Sequence, residues 1–155
     1  MITLVKVKAS FYQLCKQYGV DKELMYNQEG RPCVLLVKLR YKNNLRDFVV
    51  PLRSNISSTT PSIQYFPLPP NSSTKKYRKH GLHYIKLFPV DRKYLDPYQV
   101  SNNNYYINIL HMLNTSEKDI VSNCQDYLNG YEKGNKHSMT PDIDGILNML
   151  DEIHK

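Results

Sequence analysis

The stretch Arg31-Pro32-Cys33-Val34-Leu35-Leu36-Val37-Lys38-Leu39-Arg40, followed by Phe48-Val49-Val50-Pro51-Leu52-Arg53-Ser54-Asn55, decides the fold. Its first part is a continuous apolar run that passes into polar alternation, the pattern of a strand buried on both faces at its start and on one face afterwards. Lys42-Asn43-Asn44 supplies turn chemistry, because asparagine tolerates left-handed dihedrals, and Phe48-Val49-Val50 begins the returning strand of a hairpin. Pro51 has no N–H to give a ladder. The second strand is therefore expected to end there at an edge or bulge, with Leu52-Arg53-Ser54-Asn55 exposed at the mouth of the sheet.

Toward the N-terminus, the β-branched Ile2, Thr3, Val5 and Val7 predict a strand over Ile2 to Lys8. A short helix over Ala9 to Tyr18 should follow, with Ser10 as a cap and Gly19 closing it. On the other side, residues 55–62 are rich in Ser, Thr, Asn and Pro and read as a loop. Pro67, Pro69 and Pro70 lead into Asn71-Ser72-Ser73-Thr74-Lys75-Lys76-Tyr77-Arg78-Lys79-His80, a run with four full positive charges. Leu82 to Phe88 regains strand character, with His83, Ile85 and Leu87 on one face and Tyr84, Lys86 and Phe88 on the other, and Pro89 ends it.

The C-terminal third is helical. Tyr106, Ile109, Leu110 and Leu113 follow helical spacing, and Ser116 with Asp119 approximates a capping box for a helix bearing Ile120, Cys124, Tyr127, Leu128 and Tyr131. Thr140 as cap and Pro141 as the first helical residue open a last helix whose buried face is Ile143, Ile146, Leu147, Leu150 and Ile153.

At 155 residues, 41% hydrophobic and 23% charged, the chain fits one folded domain spanning residues 1–155. No apolar run approaches the roughly 18 residues of a membrane-spanning helix, and Met1 to Ala9 lacks a signal-peptide core, so a cytoplasmic protein is expected. Cys15, Cys33 and Cys124 form no CxxC pair and read as buried apolar thiols. Charge is divided along the chain. Residues 1–100 carry a net +11 and residues 101–155 a net −4. A basic surface confined to one part of the chain points to a polyanionic partner, nucleic acid ahead of a membrane surface, although a generally solvated basic surface fits the charge alone.

His80, His83, His111, His137 and His154 show no HxxxH or HxH spacing, and there is no GxGxxG, P-loop or GxSxG. Neither a metal nor a cofactor is expected. Basic, hydroxyl-bearing and aromatic residues are what remain, and they suit RNA cleavage by 2′-hydroxyl attack, in which cations and fixed donors stabilise charge building on the phosphoryl oxygens. Arg53-Ser54-Asn55 is either a phosphate cradle or an ordinary strand exit. His80 and His83, directly after the Lys-rich run, are candidates for moving protons. Lys75, Lys76, Arg78 and Lys79 are candidate phosphate contacts, Lys86 a further one, and Tyr77 can stack on a base.

The order of these motifs resembles the core of the MazF/Kid-like endoribonuclease toxins, and more closely the toxins of type III toxin–antitoxin systems, the ToxN/AbiQ, CptN and TenpN toxins. The resemblance is carried by Val5-Lys6-Val7-Lys8 before an aromatic-bearing helix, Tyr26 ahead of the first hairpin strand, and Pro51-Leu52-Arg53-Ser54. The Gly-Leu strand ending in Pro-Val at residues 81–90 and the paired helices from Asn104 to Gly134 extend it over most of the chain. The chain departs from the ToxN pattern in having Arg53 where that pattern has threonine, and Asn55-Ile56 in place of its following lysine. Arg-Ser-Asn and His-Gly-Leu-His-Tyr look more like the TenpN or CptN branches.

This resemblance implies a metal-independent endoribonuclease toxin in phage defence, held inactive by a repeated pseudoknot RNA antitoxin in a closed protein–RNA ring. It carries Ser54 over as an active-site residue, Tyr12 as the proton-donating aromatic of the first helix, and Tyr26 and Arg31 as RNA contacts. Asn55 lies beside the carried-over serine and joins the RNA contacts. The expected fold is α+β: a small curved antiparallel sheet, or partly open SH3-like barrel, of about five to six strands packed on helices mainly from residues 104–155. A non-catalytic RNA-binding module and a helix-mediated protein-interaction domain are the rival readings.

Overall fold

The computed structural model describes residues 1–25 and 34–155. Tyr26, Arg31 and Cys33 lie outside the described residues. The architecture is α+β, as expected, with a seven-stranded antiparallel sheet and four α-helices among the described residues. Strand β1 is Thr3–Val7, β2 Val34–Tyr41, β3 Asn44–Ile56, β4 Tyr65–Leu68, β5 Lys79–His83, β6 Phe88–Pro89 and β7 Leu95–Pro97. Helix α1 is Ala9–Gln17, α2 Asn104–Thr115, α3 Glu117–Glu132 and α4 Ile143–Ile153.

The hairpin β2–β3 is the backbone of the sheet, paired from Val34 with Pro51 to Tyr41 with Asn44. Its turn residues Lys42 and Asn43 both have positive φ, +48° and +65°, the two-residue geometry whose twist matches the flanking strands. Strand order is β4-β5-β3-β2-β1-β7. Both outer strands contain a proline, Pro67 in β4 and Pro97 in β7. A residue without an N–H is tolerated at an edge and stops further pairing there.

β3 does not end at Pro51. It runs on to Ile56, pairing Leu52 with Leu82 and Arg53 with Gly81, and is irregular between Arg53 and Ile56. The interruption at Pro51 falls instead on the neighbouring strand. The single strand expected over Leu82 to Phe88 is broken by a 3-10 turn at Tyr84–Lys86, and its halves β5 and β6 both pair with β3. Across the gap stand Val50 and Pro51, and proline cannot serve the missing rungs. Gly81 is required where β4, β5 and β3 meet, since a Cβ there would lie 2.6 Å from the Phe66 carbonyl oxygen.

Alternation along the strands sends side chains into two cores. Leu4, Leu35, Val37 and Val50 pack with Ile109, Leu113, Ile120, Cys124 and Leu128 of α2 and α3. Val5, Val7, Val34 and Val49 pack with Phe11, Tyr12 and Cys15 of α1 and with Ile146, Met149 and Leu150 of α4. The start of β2 is thus covered on both faces, and Lys38 and Arg40 near its end are exposed, as the apolar run predicts.

The helix caps differ from the expected ones. Lys8, not Ser10, is the N-cap of α1; Gly19 at φ +70° closes the helix, with the Val20 N–H donating to the Cys15 carbonyl at 2.9 Å. Ser116 caps α3 by position but makes no capping hydrogen bond. Asp142 caps α4 through the Gly145 N–H at 3.0 Å, while the Thr140 hydroxyl pairs with the Tyr127 hydroxyl instead. A carboxylate competes well for a helix N-terminus, where the backbone dipole adds to the hydrogen bond. Among the described residues, no helix is long and apolar enough to cross a membrane.

Candidate functional site

Arg53 leaves β3 just before the irregularity in its pairing, and its guanidinium stands 3.4 Å from Nδ1 of His83 at the end of β5. Both line an open cavity of about 540 Å³. Arg78, from the basic run, and His137, from the segment between α3 and α4, complete its polar wall; the Ser57–Thr60 turn and Gln64 bring hydroxyls and an amide to the rim. Among the described residues, its lining contains no carboxylate.

The protonation of the two imidazoles follows from their neighbours. A guanidinium only donates, so Nδ1 of His83 accepts from Arg53 and the neutral ring carries its proton on Nε2. That Nε2 is buried with no hydrogen-bond partner. Burial, with Arg53, Lys86 and His137 adding repulsion, pushes the His83 pKa down to about 4. His137 is fixed the same way round: its Nδ1 accepts the Met139 N–H at 3.1 Å, which leaves Nε2 as the N–H. Burial, aided by nearby Arg78, lowers the Arg53 pKa, with Glu23 opposing. A guanidinium remains cationic at neutral pH regardless. The cavity therefore brings two cations, Arg53 and Arg78, together with the rings of His83 and His137, an arrangement suited to an anion with several oxygens.

Adjacent residues on β3 do something different. Ser54 does not line the cavity, and its hydroxyl accepts from Nδ2 of Asn71 at 2.9 Å. Asn55 donates from Nδ2 to the Ser73 carbonyl at 3.0 Å and accepts the Lys75 N–H on Oδ1 at 2.7 Å. These three bonds dock the segment Asn71–Lys75 onto β3. The segment is two successive turns, closed by Thr74 N–H to Asn71 carbonyl and Arg78 N–H to Lys75 carbonyl. Lys75, Lys76, Tyr77, Arg78 and Lys79 stand exposed on it, Tyr77 at 79% and with φ +66°. The Lys76 ammonium lies 5.1 Å above the Tyr77 ring.

Several expected site residues belong to the interior. Lys86 cannot serve as a surface phosphate contact, because it is 5% exposed and its ammonium bonds Oε2 of Glu23 at 2.8 Å. His80 is 3% exposed; its Nδ1 lies 2.7 Å from the Pro69 carbonyl oxygen and 2.8 Å from the Tyr105 hydroxyl, which itself donates to that carbonyl at 2.6 Å. Burial lowers the His80 pKa. Tyr12 is 4% exposed and packs against Phe11 and Phe88 in the core beneath α1, outside the cavity lining. The proton-moving roles expected of His80 and His83 near neutrality conflict with these surroundings, since desolvation disfavours the charged imidazole.

His137 and Gln64 were not singled out by the sequence. Gln64 ends a 3-10 turn eleven residues beyond Arg53, His137 lies on the segment between α3 and α4, and no local motif marks either. Among the described residues, no group of three or more His, Cys, Asp or Glu side chains is placed to hold a metal ion.

No protein-family model matches the chain, and no curated protein matches it closely in sequence. Solved structures do match it in three dimensions. One comes from work on a processed non-coding RNA that regulates a bacterial antiviral system; it has a TM-score of 0.66 at 13% identity, covering 94% of this chain and 95% of that one. Another comes from work on bacterial type III toxin–antitoxin systems, in which a non-coding RNA pseudoknot selectively inhibits the toxin; it has a TM-score of 0.67 at 13% identity, covering 99% and 98%. At this identity the likeness establishes a shared fold over essentially the whole length of each chain.

Proposed function

We propose that this chain is the toxin of a type III toxin–antitoxin system, an endoribonuclease that cleaves RNA without a metal and is restrained by a folded, repeated pseudoknot RNA. The observation that carries the proposal is the cavity where Arg53, Arg78, His83 and His137 converge, with no carboxylate among the described residues that line it. The end-to-end structural likeness to a toxin–antitoxin structure supports it.

In the proposed reaction the RNA 2′-hydroxyl gives its proton to water and attacks the adjacent phosphorus, the bond to the 5′-oxygen breaks as that oxygen takes a proton from water, and the products are a 2′,3′-cyclic phosphate and a 5′-hydroxyl. Negative charge grows on the non-bridging oxygens as the phosphorus becomes five-coordinate. Arg53 neutralises it from a half-buried position, where a fixed cation acts more strongly than in water, and Arg78 assists from the exposed side. His83 and His137 line the same cavity, and burial keeps the His83 ring neutral at neutral pH. Ser54 and Asn55 hold the basic turns against β3, and so place Lys75, Lys76 and Lys79 for the RNA backbone. The inhibitory pseudoknot, dense in phosphate, would cover the same turns and cavity and close a protein–RNA ring in the cytoplasm.

Incubating the purified chain with single-stranded RNA in EDTA tests this directly. Products ending in 2′,3′-cyclic phosphate are expected. Strict dependence on magnesium, or cleavage of DNA at an equal rate, would overturn the mechanism, and salt-sensitive RNA binding without any cleavage would leave a binding module.

A further inference from the structure

A second cavity, of about 330 Å³, lies between the Asn71–Ser73 turn and the N-terminus of α2. We infer that it is a nucleobase subsite, taking one unstacked base of a single-stranded RNA whose phosphates run along the basic turns. The inference rests on the proposed RNA-directed function and adds the place where sequence is read.

The lining selects the ligand class. Tyr105 and Tyr106 provide aromatic surface, Asn71 and Asn103 amides, and Ser72 and Ser73 hydroxyls, with no charged side chain among them. A phosphate or an acidic peptide would require cations here, and an apolar peptide would require aliphatic side chains. A flat heterocycle with donors and acceptors on its edge suits aromatic walls and polar side chains, and RNA readers hold splayed-out bases in this manner. The size falls in the range of small-ligand pockets, about 300–1,000 Å³.

The walls are set in advance. The Tyr105 hydroxyl is bonded to the Pro69 carbonyl, and its ring is stacked on His80 with planes 27° apart. Tyr106 meets Tyr105 edge-on at 5.1 Å and Tyr98 at 5.6 Å. Asn71 is held by Ser54 at 2.9 Å, and its Oδ1 accepts the Ser73 N–H at 2.9 Å. A base entering this cavity meets groups whose ordering entropy is already spent.

Position connects the subsite to the rest of the RNA path. The turn forming one wall continues into Lys75–Lys79, and Ser54, which anchors that turn, directly follows Arg53 of the first cavity. A strand following the basic turns from one cavity to the other would present a phosphate to Arg53 and a base to Tyr105 and Tyr106.

The test uses the full chain and the four nucleoside 3′-monophosphates as probes. NMR of tyrosine-labelled protein should show shifts at Tyr105 and Tyr106 that saturate with one or two of the four nucleotides. Ser72→Trp, an exposed position that can fill the mouth without removing one of these hydrogen bonds, should weaken those nucleotides at least tenfold and alter which RNA sequences are cleaved. Tyr106→Ala should do the same. Equal shifts for all four nucleotides confined to the Arg53 cavity, or an unchanged base preference in both variants, would overturn the subsite while leaving the nuclease reading intact. Base-selective binding at Tyr105 in a chain that cleaves no RNA would uphold the subsite and refute the nuclease.

Discussion

Lowering the pH should destabilise this protein through His83, over a window fixed by the surroundings of that one ring. In the unfolded chain a histidine takes up a proton near pH 6.5. In the folded chain burial, together with the charges of Arg53 and Lys86 and the neighbouring His137, holds the His83 pKa at about 4. Between these values the unfolded state binds the extra proton, so stability is whole above about pH 6.5, declines as the pH falls, and levels off below about pH 4. The gap of about 2.5 pH units is worth about 3.4 kcal/mol, at about 1.4 kcal/mol for each unit, and about 3 kcal/mol of it is lost by pH 4. Urea denaturation of wild type and His83→Gln from pH 7.5 to pH 4 isolates it, because carboxylate and His80 contributions are common to both. The difference in pH dependence should be about 3 kcal/mol. Inorganic phosphate should move the His83 titration, followed by NMR, up toward neutrality, since an anion against Arg53 offsets the repulsion between that guanidinium and a charged ring. A His83 that titrates near 6.5 without ligand, or one indifferent to phosphate, would refute both the neutral ring and the anion cavity.

Three further outcomes are expected. Arg53→Lys should lower the single-turnover cleavage rate about a hundredfold with little change in RNA affinity, because an ammonium cannot reproduce the guanidinium's fixed fork; equal losses in rate and affinity would mean that Arg53 only binds. Neutralising Lys75, Lys76 and Lys79 to glutamine should reduce the slope of log affinity against log salt by about 2, for three single-strand phosphate contacts at about 0.7 each; an unchanged slope would place the RNA elsewhere. Glu23→Gln should destabilise the fold by about 1–3 kcal/mol in urea denaturation, because it leaves the buried Lys86 ammonium without its carboxylate, and Lys86→Met should cost less.

The elements that could be read from sequence are those whose cause is local. The β2–β3 hairpin, the start of β2 buried on two faces and the apolar stripe of α4 each follow from periodicity over a short window. Elements decided by a partner were not legible. Strands β4 and β7 are four and three residues long, each interrupted by proline, and exist because they complete an edge. The 3-10 turn at Tyr84–Lys86 falls opposite Pro51 on the adjacent strand, more than thirty residues away. The caps at Ser10, Ser116 and Thr140 had the right residue types, yet the hydroxyl of Thr140 found a partner on α3 and the backbone of α4 found Asp142.

The candidate site shows the same division within three consecutive residues. Arg53-Ser54-Asn55 looked like a single cradle because a guanidinium, a hydroxyl and an amide stood side by side. A strand turns neighbouring side chains to opposite faces, and the irregularity after Arg53 lets Ser54 and Asn55 both engage the same loop. Arg53 therefore goes to the cavity with Arg78 and His83, and Ser54 goes to Asn71 at the wall of the second cavity. If the proposed roles hold, one strand sets the distance between the phosphate that reacts and the base that is recognised. A register slip of one residue in β3 would exchange the two faces, so the buried pairs Leu52 with Leu82 and Val49 with Phe88, by fixing that register, keep Arg53 at the first cavity and Ser54 at the wall of the second.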